Sequence, residues 1–287
     1  MEVVHDIAAL RDWTRAHRES TRILVPTMGA LHAGHLALVD RARAECGSGG
    51  DVVVSIFVNP TQFGPDEDLE HYPRPLEDDL AACRERGANL VFAPEADAMY
   101  AADRSILVQE RQLSRRLCGA SRPGHFDGVC TIVSKLFHLV DPDAAVFGEK
   151  DYQQLAVIRR LVRDLDFDVD IIGVPTVREP DGLAMSSRNV YLDAEQRAQA
   201  NVLFRALEAA DGSRNAGEAL DRASAVIATA PAARLDYLEV VDPDSLSPLP
   251  GASAGHARLL VAACFGMTRL IDNRALHLGQ LPSGRRT

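Results

Sequence analysis

The chain has 287 residues, of which 46% are hydrophobic and 25% charged, which is the balance of an ordinary globular protein with ample length for a buried core. Its formal net charge of −10 argues against a surface built to bind nucleic acid. No uncharged apolar run approaches the roughly 18 residues that a membrane-spanning helix needs, so a membrane protein is not expected either.

The first part of the chain alternates short β-rich runs with helical patterns. Strands are predicted at 22–27, 52–58, 89–93, 144–147 and 169–174, and helices at 34–46, 75–87, 126–140 and 151–165. This alternation predicts an α/β fold, with a Rossmann-like, doubly wound and mostly parallel sheet covered by helices on both faces. Ligands of such sheets bind beyond the carboxyl ends of the strands.

The pattern changes after about residue 176. Helices are predicted at 194–210 and 216–229, and strands at 234–241, 258–264 and 268–272, with the loop "DPDSLSPLPGAS" between the first two strands. The sequence therefore predicts two domains, a Rossmann-like domain over residues 1–176 and a smaller C-terminal α+β domain over residues 177–287.

The start of the chain and its cysteines bear on location. The first residues, "MEVVHDIAALRDW", lack the basic start and apolar block of a signal peptide. The five cysteines are scattered and form no CxxC pair. Such a set predicts reduced and mostly buried thiols, as in a cytoplasmic protein.

The stretch "VPTMGALHAGHLALV" places two histidines, His32 and His35, at a strand–glycine–helix turn. Backbone N–H groups and the helix dipole favour an anion there, and imidazoles can donate to phosphate oxygens or balance charge that builds up on them. A metal site would need a third or fourth ligand, and no spacing nearby supplies one. Simple capping or packing is the third alternative.

Polar residues also follow the second predicted strand, in "SIFVNPTQFG". Asn59 and Gln62 carry neutral amides that both donate and accept hydrogen bonds, which suits a small hydroxylated or carboxylate-bearing molecule. A turn held by amide–backbone bonds explains them equally well. In "RPGHFDGVCTIVSKLF", His125 and Arg122 can reach the edge of a site, whereas the apolar positions of the following helix predict core.

Two later stretches repeat the logic of an anion site. In "VFGEKDYQQLAV", a strand ends before Gly148, and Lys150 opens the next helix beside Asp151, with Gln154 one turn further on. In "REPDGLAMSSRN", two hydroxyls precede Arg188 on a glycine-containing loop, a combination that suits a triphosphate. The Walker P-loop and GxGxxG motifs are absent from the sequence.

Taken together and in order, these stretches resemble the pantoate–β-alanine ligase family (pantothenate synthetases). HxGH alone marks a broad group of nucleotidyl-transferring enzymes, whereas "FVNPTQF" and "GEKDYQQ" are far narrower, and the terminal "TRLIDN" is also similar. The resemblance implies an ATP-dependent condensation of (R)-pantoate with β-alanine through a pantoyl adenylate, with release of pyrophosphate and AMP. Magnesium is expected to accompany ATP.

The resemblance also implies roles for individual residues. His32, His35 and Lys150 are the expected catalytic groups. Asn59, Gln62 and Gln154 are expected to bind pantoate or β-alanine. The expected nucleotide contacts are Met28, Gly29, Ala30, Leu31, His32, Ala33, Gly34, His35, Gly148, Glu149, Lys150, Asp151, Val177, Met185, Ser186, Ser187 and Arg188. Residues 1–176 would then bind nucleotide and pantoate, and residues 177–287 would form a lid.

An acidic pair, Asp78 and Asp79, matches a pair that the family associates with magnesium, although Ala82 replaces an accompanying glutamine. Most magnesium ligands are therefore expected to be ATP phosphates and water. The family also implies a homodimer with no nucleic-acid or membrane partner.

Two alternatives remain on the sequence. A cytidylyltransferase with the same HxGH turn would carry a basic pocket for an acceptor phosphate, where this chain offers neutral glutamines. A non-catalytic nucleotide-binding module would not need the "FVNPTQF" cluster.

Overall fold

The computed structural model describes residues 1–65 and 67–279, and the chain divides into two compact units. The first comprises Met1–Glu149 and Gln153–Thr176, and the second comprises Lys150–Tyr152 and the chain from Val177 onwards. The segment Lys150–Tyr152 therefore groups with the second unit, although the sequence places it within the predicted domain 1–176.

A six-stranded sheet forms the centre of the first unit. Its strands are β1 (Glu2–Val4), β2 (Arg22–Thr27), β3 (Asp51–Ile56), β4 (Leu90–Phe92), β5 (Ala144–Gly148) and β6 (Asp170–Val174). All neighbours are parallel, in the order β1-β4-β3-β2-β5-β6. The predicted Rossmann-like class is confirmed. The three-residue β1 was not predicted, because so short an edge strand shows no periodicity.

Helices follow the strands in the first unit. They are α1 (Ile7–Ala16), α2 (Ala33–Cys46), α3 (Leu76–Glu85), α4 (Ala96–Met99), α5 (Cys118–Ser121), α6 (His125–Val140) and α7 (Tyr152–Asp164), of which only the first residue of α7 belongs to the second unit. The core is built from fully buried valines of adjacent strands, among them Val25, Val54, Val91 and Val146. Such β-branched runs suit strands that are covered on both faces.

As far as residue 279, the second unit pairs three helices with an antiparallel sheet. The helices are α8 (Ala194–Ala200), α9 (Val202–Ala209) and α10 (Ala216–Ile227), and the strands are β7 (Ala233–Val241), β8 (Gly255–Phe265) and β9 (Thr268–Leu278), in that order. The predicted single helix 194–210 is interrupted at Asn201, a residue type that competes poorly for helix interiors. Strand β9 runs well past the predicted end at residue 272, because Asn273, a residue type common in turns, is buried and hydrogen-bonded within the sheet.

Three of the five cysteines, Cys83, Cys118 and Cys130, are buried. All five cysteines are free thiols, and burial raises the pKa values of Cys83 and Cys130 to about 12. Across the described residues, no helix has the length and apolarity to cross a bilayer.

Candidate active site

The turn between β2 and α2 requires glycine at its centre. Gly29 has φ of +78°, and Ala30 follows with φ of +50°. A Cβ atom on Gly29 would lie 3.0 Å from Asp79 Oδ2 and 3.0 Å from Ile56 Cγ2. Because the backbone is left-handed and the space is filled, a larger residue would strain the turn. The predicted nucleotide stretch Met28–His35 thus starts from a fixed and close-packed bend.

Asp79 braces this bend from α3. Its Oδ2 accepts a hydrogen bond from the Ala30 N–H at 2.8 Å, and its Oδ1 accepts one from the Leu31 N–H at 2.7 Å. The side chain is only 3% exposed, and this burial raises the pKa of the Asp79 carboxyl, while the two N–H bonds oppose the rise. The carboxylate therefore orients two backbone groups of the predicted nucleotide turn.

Asp78 and Asp79 are not arranged as ligands of one magnesium ion. Asp78 is exposed and Asp79 is buried, so the adjacent carboxylates face different surroundings, and both Asp79 oxygens already hold backbone N–H groups. Among the residues that the structure describes, no three His, Cys, Asp or Glu side chains come together as a metal would require. Asp79 is therefore a structural brace, and the predicted acidic pair is not a set of magnesium ligands in this geometry.

His32 and His35 cap helix α2. His32 is the N-cap residue and its Nδ1 accepts from the Gly34 N–H at 3.1 Å, while His35 Nδ1 accepts from the His32 N–H at 3.4 Å. The rings stack with their centroids 4.1 Å apart. Because both Nδ1 atoms accept, the neutral imidazoles carry their protons on Nε2. Capping is thus confirmed, and it also orients each Nε2–H as a donor.

A cavity of about 150 Å³ lies beside this turn, within the first unit. Its lining includes Met28, His35, Gln62 and Gln154, so four residues that the sequence singled out meet in one place. The cavity lies at the carboxyl ends of the parallel strands, where ligands of such sheets bind.

Helix α6 supplies the apolar wall of this cavity, with Val129, Ile132, Val133 and Leu136. The four side chains are buried, so the predicted core face is confirmed. Their second role as a pocket wall was not predicted. Helical periodicity reports which face is buried, and it does not separate a face that packs on core from one that borders a small cavity.

Gln62 ends a short 3₁₀ turn, Pro60–Gln62, and its amide has a fixed orientation. Its Oε1 accepts from Asn59 Nδ2 at 2.9 Å. The amide is therefore turned so that its Nε2 group, which has no acceptor among the described residues, can donate to a ligand in the cavity.

The Asn59 side chain is held by hydrogen bonds within the protein. It is 1% exposed, and its Nδ2 donates to Gln62 Oε1 and to the Gly128 carbonyl at 3.2 Å. Its Oδ1 accepts from the hydroxyls of Tyr100 at 2.8 Å and Thr61 at 2.9 Å. With these bonds the side chain is fully used by the protein. Asn59 therefore positions Gln62, and its direct contact with substrate stays a prediction.

His125 and Arg122, which were expected near the edge of the site, hold the backbone of Gln62. The Gln62 carbonyl lies 2.8 Å from His125 Nδ1 and 3.2 Å from Arg122 NH2, and Glu67 pairs with the same guanidinium at 2.7 and 2.5 Å. This network and the bonds of Asn59 fix both the backbone and the side chain of one glutamine.

The second unit places further predicted residues near one another. The Met185 N–H donates to the Val177 carbonyl at 3.0 Å, and Ser186 Oγ accepts from the Arg188 N–H at 3.3 Å at the start of the 3₁₀ turn Ser187–Tyr191. Burial lowers the pKa of Lys150 to about 8, a shift that Arg188 increases and that Asp272 and Asp151 oppose. Lys150 and Arg188 are thus two cations within electrostatic reach of each other.

The predicted nucleotide contacts divide between the two compact units. Met28–His35, Gly148 and Glu149 belong to the first unit, and Lys150, Asp151, Val177 and Met185–Arg188 belong to the second. The predicted nucleotide contacts therefore form two groups, one in each unit.

The fold and the cavity define a class of protein. A parallel sheet with a glycine turn and two oriented histidines at its carboxyl edge, beside a small pocket with amides and an apolar wall, is typical of an enzyme that uses a nucleotide to activate a small organic molecule.

Comparisons with known proteins are specific. The family model for pantoate-beta-alanine ligase matches residues 2–275. The pantothenate synthetase of Mycolicibacterium smegmatis is 55% identical over 96% of this chain and 86% of its own length. A crystal structure of pantothenate synthetase from Thermus thermophilus has a TM-score of 0.89 at 50% identity, over 96% of this chain and 99% of that one. The chain belongs to the pantoate–β-alanine ligase family, as the motifs predicted.

A more distant solved relative has ligands in its structure. It is the pantoate-beta-alanine ligase from Francisella tularensis, complexed with beta-gamma ATP and beta-alanine, with a TM-score of 0.79, 32% identity, and coverage of 96% of this chain and 97% of that one.

Proposed function

We propose that this protein condenses (R)-pantoate with β-alanine, using ATP and passing through a pantoyl adenylate. The observation that supports it most directly is the cavity that joins His35, Gln62 and Gln154 to the apolar wall of α6. Pantoate combines a carboxylate and two hydroxyls with a pair of methyl groups, so the amides match its polar groups and the valines of α6 match its methyls.

In the first half of the reaction, a carboxylate oxygen of pantoate bonds to the α-phosphorus of ATP. The bond from that phosphorus to the bridging oxygen breaks, and pyrophosphate leaves with the electron pair. Gln62 and Gln154 hold the carboxylate for this attack, which converts a bimolecular encounter into an oriented one. The fixed amide of Gln62 supports this role, because it needs no reorientation when the substrate binds.

The histidines and the cations screen phosphate charge in the same step. The Nε2–H groups of His32 and His35 donate to phosphate oxygens, and Lys150, Ser186, Ser187 and Arg188 supply further donors and positive charge. The remaining nucleotide contacts in this proposal are Met28 to Gly34, Gly148, Glu149, Asp151, Val177 and Met185. Residues 1–176 hold nucleotide and pantoate, and the unit from residue 177 serves as a lid that keeps water from the adenylate.

In the second half, the amine nitrogen of β-alanine bonds to the acyl carbon of the adenylate. The acyl–oxygen bond breaks, AMP leaves, and the nitrogen loses a proton. Gln62 borders the path of the amine. This proposal includes no step through a protein-bound metal. Magnesium enters with ATP and is ligated mainly by phosphates and water, since the acidic pair at 78 and 79 does not fit it.

An AMP-release assay with pantoate, β-alanine and ATP, leaving out one substrate at a time, tests the proposal. We expect pyrophosphate release to need only ATP and pantoate, and AMP release to need β-alanine as well. Pyrophosphate release with a phosphorylated alcohol and CTP would indicate the cytidylyltransferase instead. Tight ATP binding without turnover at any pantoate concentration would indicate a binding module.

We also propose a homodimer that acts in the cytoplasm on these small molecules, without a nucleic-acid or membrane partner. Two adjacent apolar side chains of the first unit support a protein contact, since Ile106 is 81% and Leu107 60% exposed.

A further inference from the structure

The terminal motif "TRLIDN" contains two buried polar residues that the reaction does not use. Asp272 is 3% and Asn273 4% exposed, and they are consecutive on β9, so their side chains leave opposite faces of the strand. Buried polar side chains on a strand need partners, and the partners show what each residue does.

Asn273 reaches the backbone of Lys150. Its Nδ2 donates to the Lys150 carbonyl at 2.8 Å, and its Oδ1 accepts from Arg258 Nε at 2.7 Å. The guanidinium of Arg258 in turn lies 3.9 Å from the centroid of the Tyr152 ring. One asparagine and one arginine of the second unit therefore fix both ends of the segment Lys150–Tyr152.

Asp272 leaves the Lys150 ammonium available. Arg178 donates to both Asp272 oxygens, at 2.6 and 3.0 Å, and the Asn273 N–H donates to Oδ1 at 2.7 Å. Within the described residues, Lys150 Nζ makes no hydrogen bond or ion pair. The backbone of Lys150 is thus fixed, while its ammonium feels the charges of Asp272 and Asp151 without pairing with either, as a group that must meet an incoming polyanion requires.

We propose that Asn273 is a positioning residue, which fixes the Lys150 backbone so that the ammonium meets the phosphates of the nucleotide. The inference rests on the proposed function, because it takes Lys150 as a phosphate contact. Asn273 lies on β9, far in sequence from the HxGH and GEKD stretches.

The test is Asn273→Asp, which keeps the size of the side chain and the oxygen that accepts from Arg258 but replaces the donor to Lys150. We expect kcat/KM for ATP in pyrophosphate release to fall about 10- to 100-fold, the effect of a small misplacement of a reacting group, with pantoate affinity unchanged. Asn273→Ala serves the same purpose if the aspartate variant fails to fold.

Lys150→Ala and the double variant separate positioning from general damage. If Asn273 acts through Lys150, the lysine substitution costs much less in the Asn273→Asp background than in the wild type, both in kcat/KM and in the dissociation constant of ATP measured by calorimetry. The matched control is Arg274→Ala, the next residue of β9, whose side chain pairs with Asp211 and not with the Lys150 segment. It is expected to leave ATP kinetics unchanged.

Additive losses, or normal ATP kinetics in a folded Asn273 variant while Lys150→Ala is impaired, would overturn the positioning role. Failure of the proposed function looks different, because the wild type would then show no pantoate-dependent pyrophosphate release. In that case ATP affinity still tests the coupling between Asn273 and Lys150.

Discussion

The two histidines of the HxGH turn divide their ring nitrogens between structure and chemistry. Each Nδ1 accepts a backbone N–H at the start of α2, and each neutral ring therefore presents Nε2–H. Asn59 and Gln62 show a similar division. The asparagine side chain hydrogen-bonds to groups of the protein, and one of these bonds sets the orientation of the Gln62 amide. Residue type alone does not separate the member of each pair that meets the ligand from the member that holds it.

We predict that the His35→Gln enzyme loses activity through charge stabilisation and not through lost proton donation. Glutamine can still donate an N–H to a phosphate oxygen, but it lacks the rigid ring that the His32 N–H orients, so kcat for pyrophosphate release should fall about 10- to 100-fold, less than for complete loss of a charge-stabilising donor. The measurement is a pH–rate profile of both enzymes. Disappearance of an acid limb, with normal ATP affinity, would instead show that His35 is a general acid.

We predict an alkaline limb near pH 8 in kcat/KM for ATP, which reports the free enzyme. Burial lowers the Lys150 pKa from 10.5 to about 8, against Asp272 and Asp151 and with Arg188, so the ammonium is lost as pH rises through 8. Lys150→Arg keeps its charge and should lack this limb. A limb at the same pH in both enzymes would assign the titration to another group.

The same pKa has the opposite effect on stability. Between pH 8 and 10.5 the unfolded chain binds more protons at Lys150 than the folded chain does, so the contribution of this residue to the free energy of unfolding rises with pH over that window. Activity and this part of stability should therefore change in opposite directions above pH 8.

At the scale of elements, the approach of α6 to the 3₁₀ turn Pro60–Gln62 determines the cavity. Gly128 of α6 lies against Thr61, and a Cβ atom there would be 2.6 Å from the carbonyl carbon of Thr61. The Gly128 carbonyl also accepts from Asn59. The glycine therefore lets the helix that forms the apolar wall contact the turn that carries Gln62.

We predict that Gly128→Ala destabilises the protein by about 1–3 kcal/mol, the usual cost of overpacking, and raises the KM for pantoate by displacing Gln62. Urea unfolding and steady-state kinetics measure the two effects. Gly49→Ala is the matched control, because a Cβ there meets nothing within 4 Å, and its change should stay within about 0.5 kcal/mol. Equal stability and an equal KM for pantoate in the two variants would contradict the close approach of α6 to the turn Pro60–Gln62.

Much of the arrangement of strands and helices was predictable from the sequence. Alternating β-rich and helical runs indicated five of the six parallel strands within two residues, because most of these strands are buried runs of β-branched or other apolar residues bounded by turn residues. The HxGH and FVNPTQF stretches indicated His35 and Gln62 because each motif is local in the sequence. The role of Asp79 as a brace and of Asn273 as an anchor was not predictable, since each acts on residues distant in sequence, on Ala30 and Lys150 respectively.

At the scale of the whole molecule, the proposed homodimer needs an apolar surface, and the first unit exposes Ile106 and Leu107 in a segment without regular structure. We predict that Leu107→Asp shifts the protein from dimer to monomer in light scattering after size exclusion, because a charge is costly in a buried contact. Exposed Met267, on the second unit, provides the control Met267→Asp. A monomeric wild type, or a dimer that Leu107→Asp leaves intact, would contradict this assignment.

The membership of Lys150–Tyr152 has a consequence for protein engineering. Because the chain leaves the first unit after Glu149, returns at Gln153 and leaves again after Thr176, the second unit is discontinuous in sequence. A truncation at residue 176 would separate these three residues from Asn273, Arg258 and Pro243, which hold them. A chimera that exchanges C-terminal units between relatives should therefore move residues 150–152 together with the chain from 177, as a single interchangeable part.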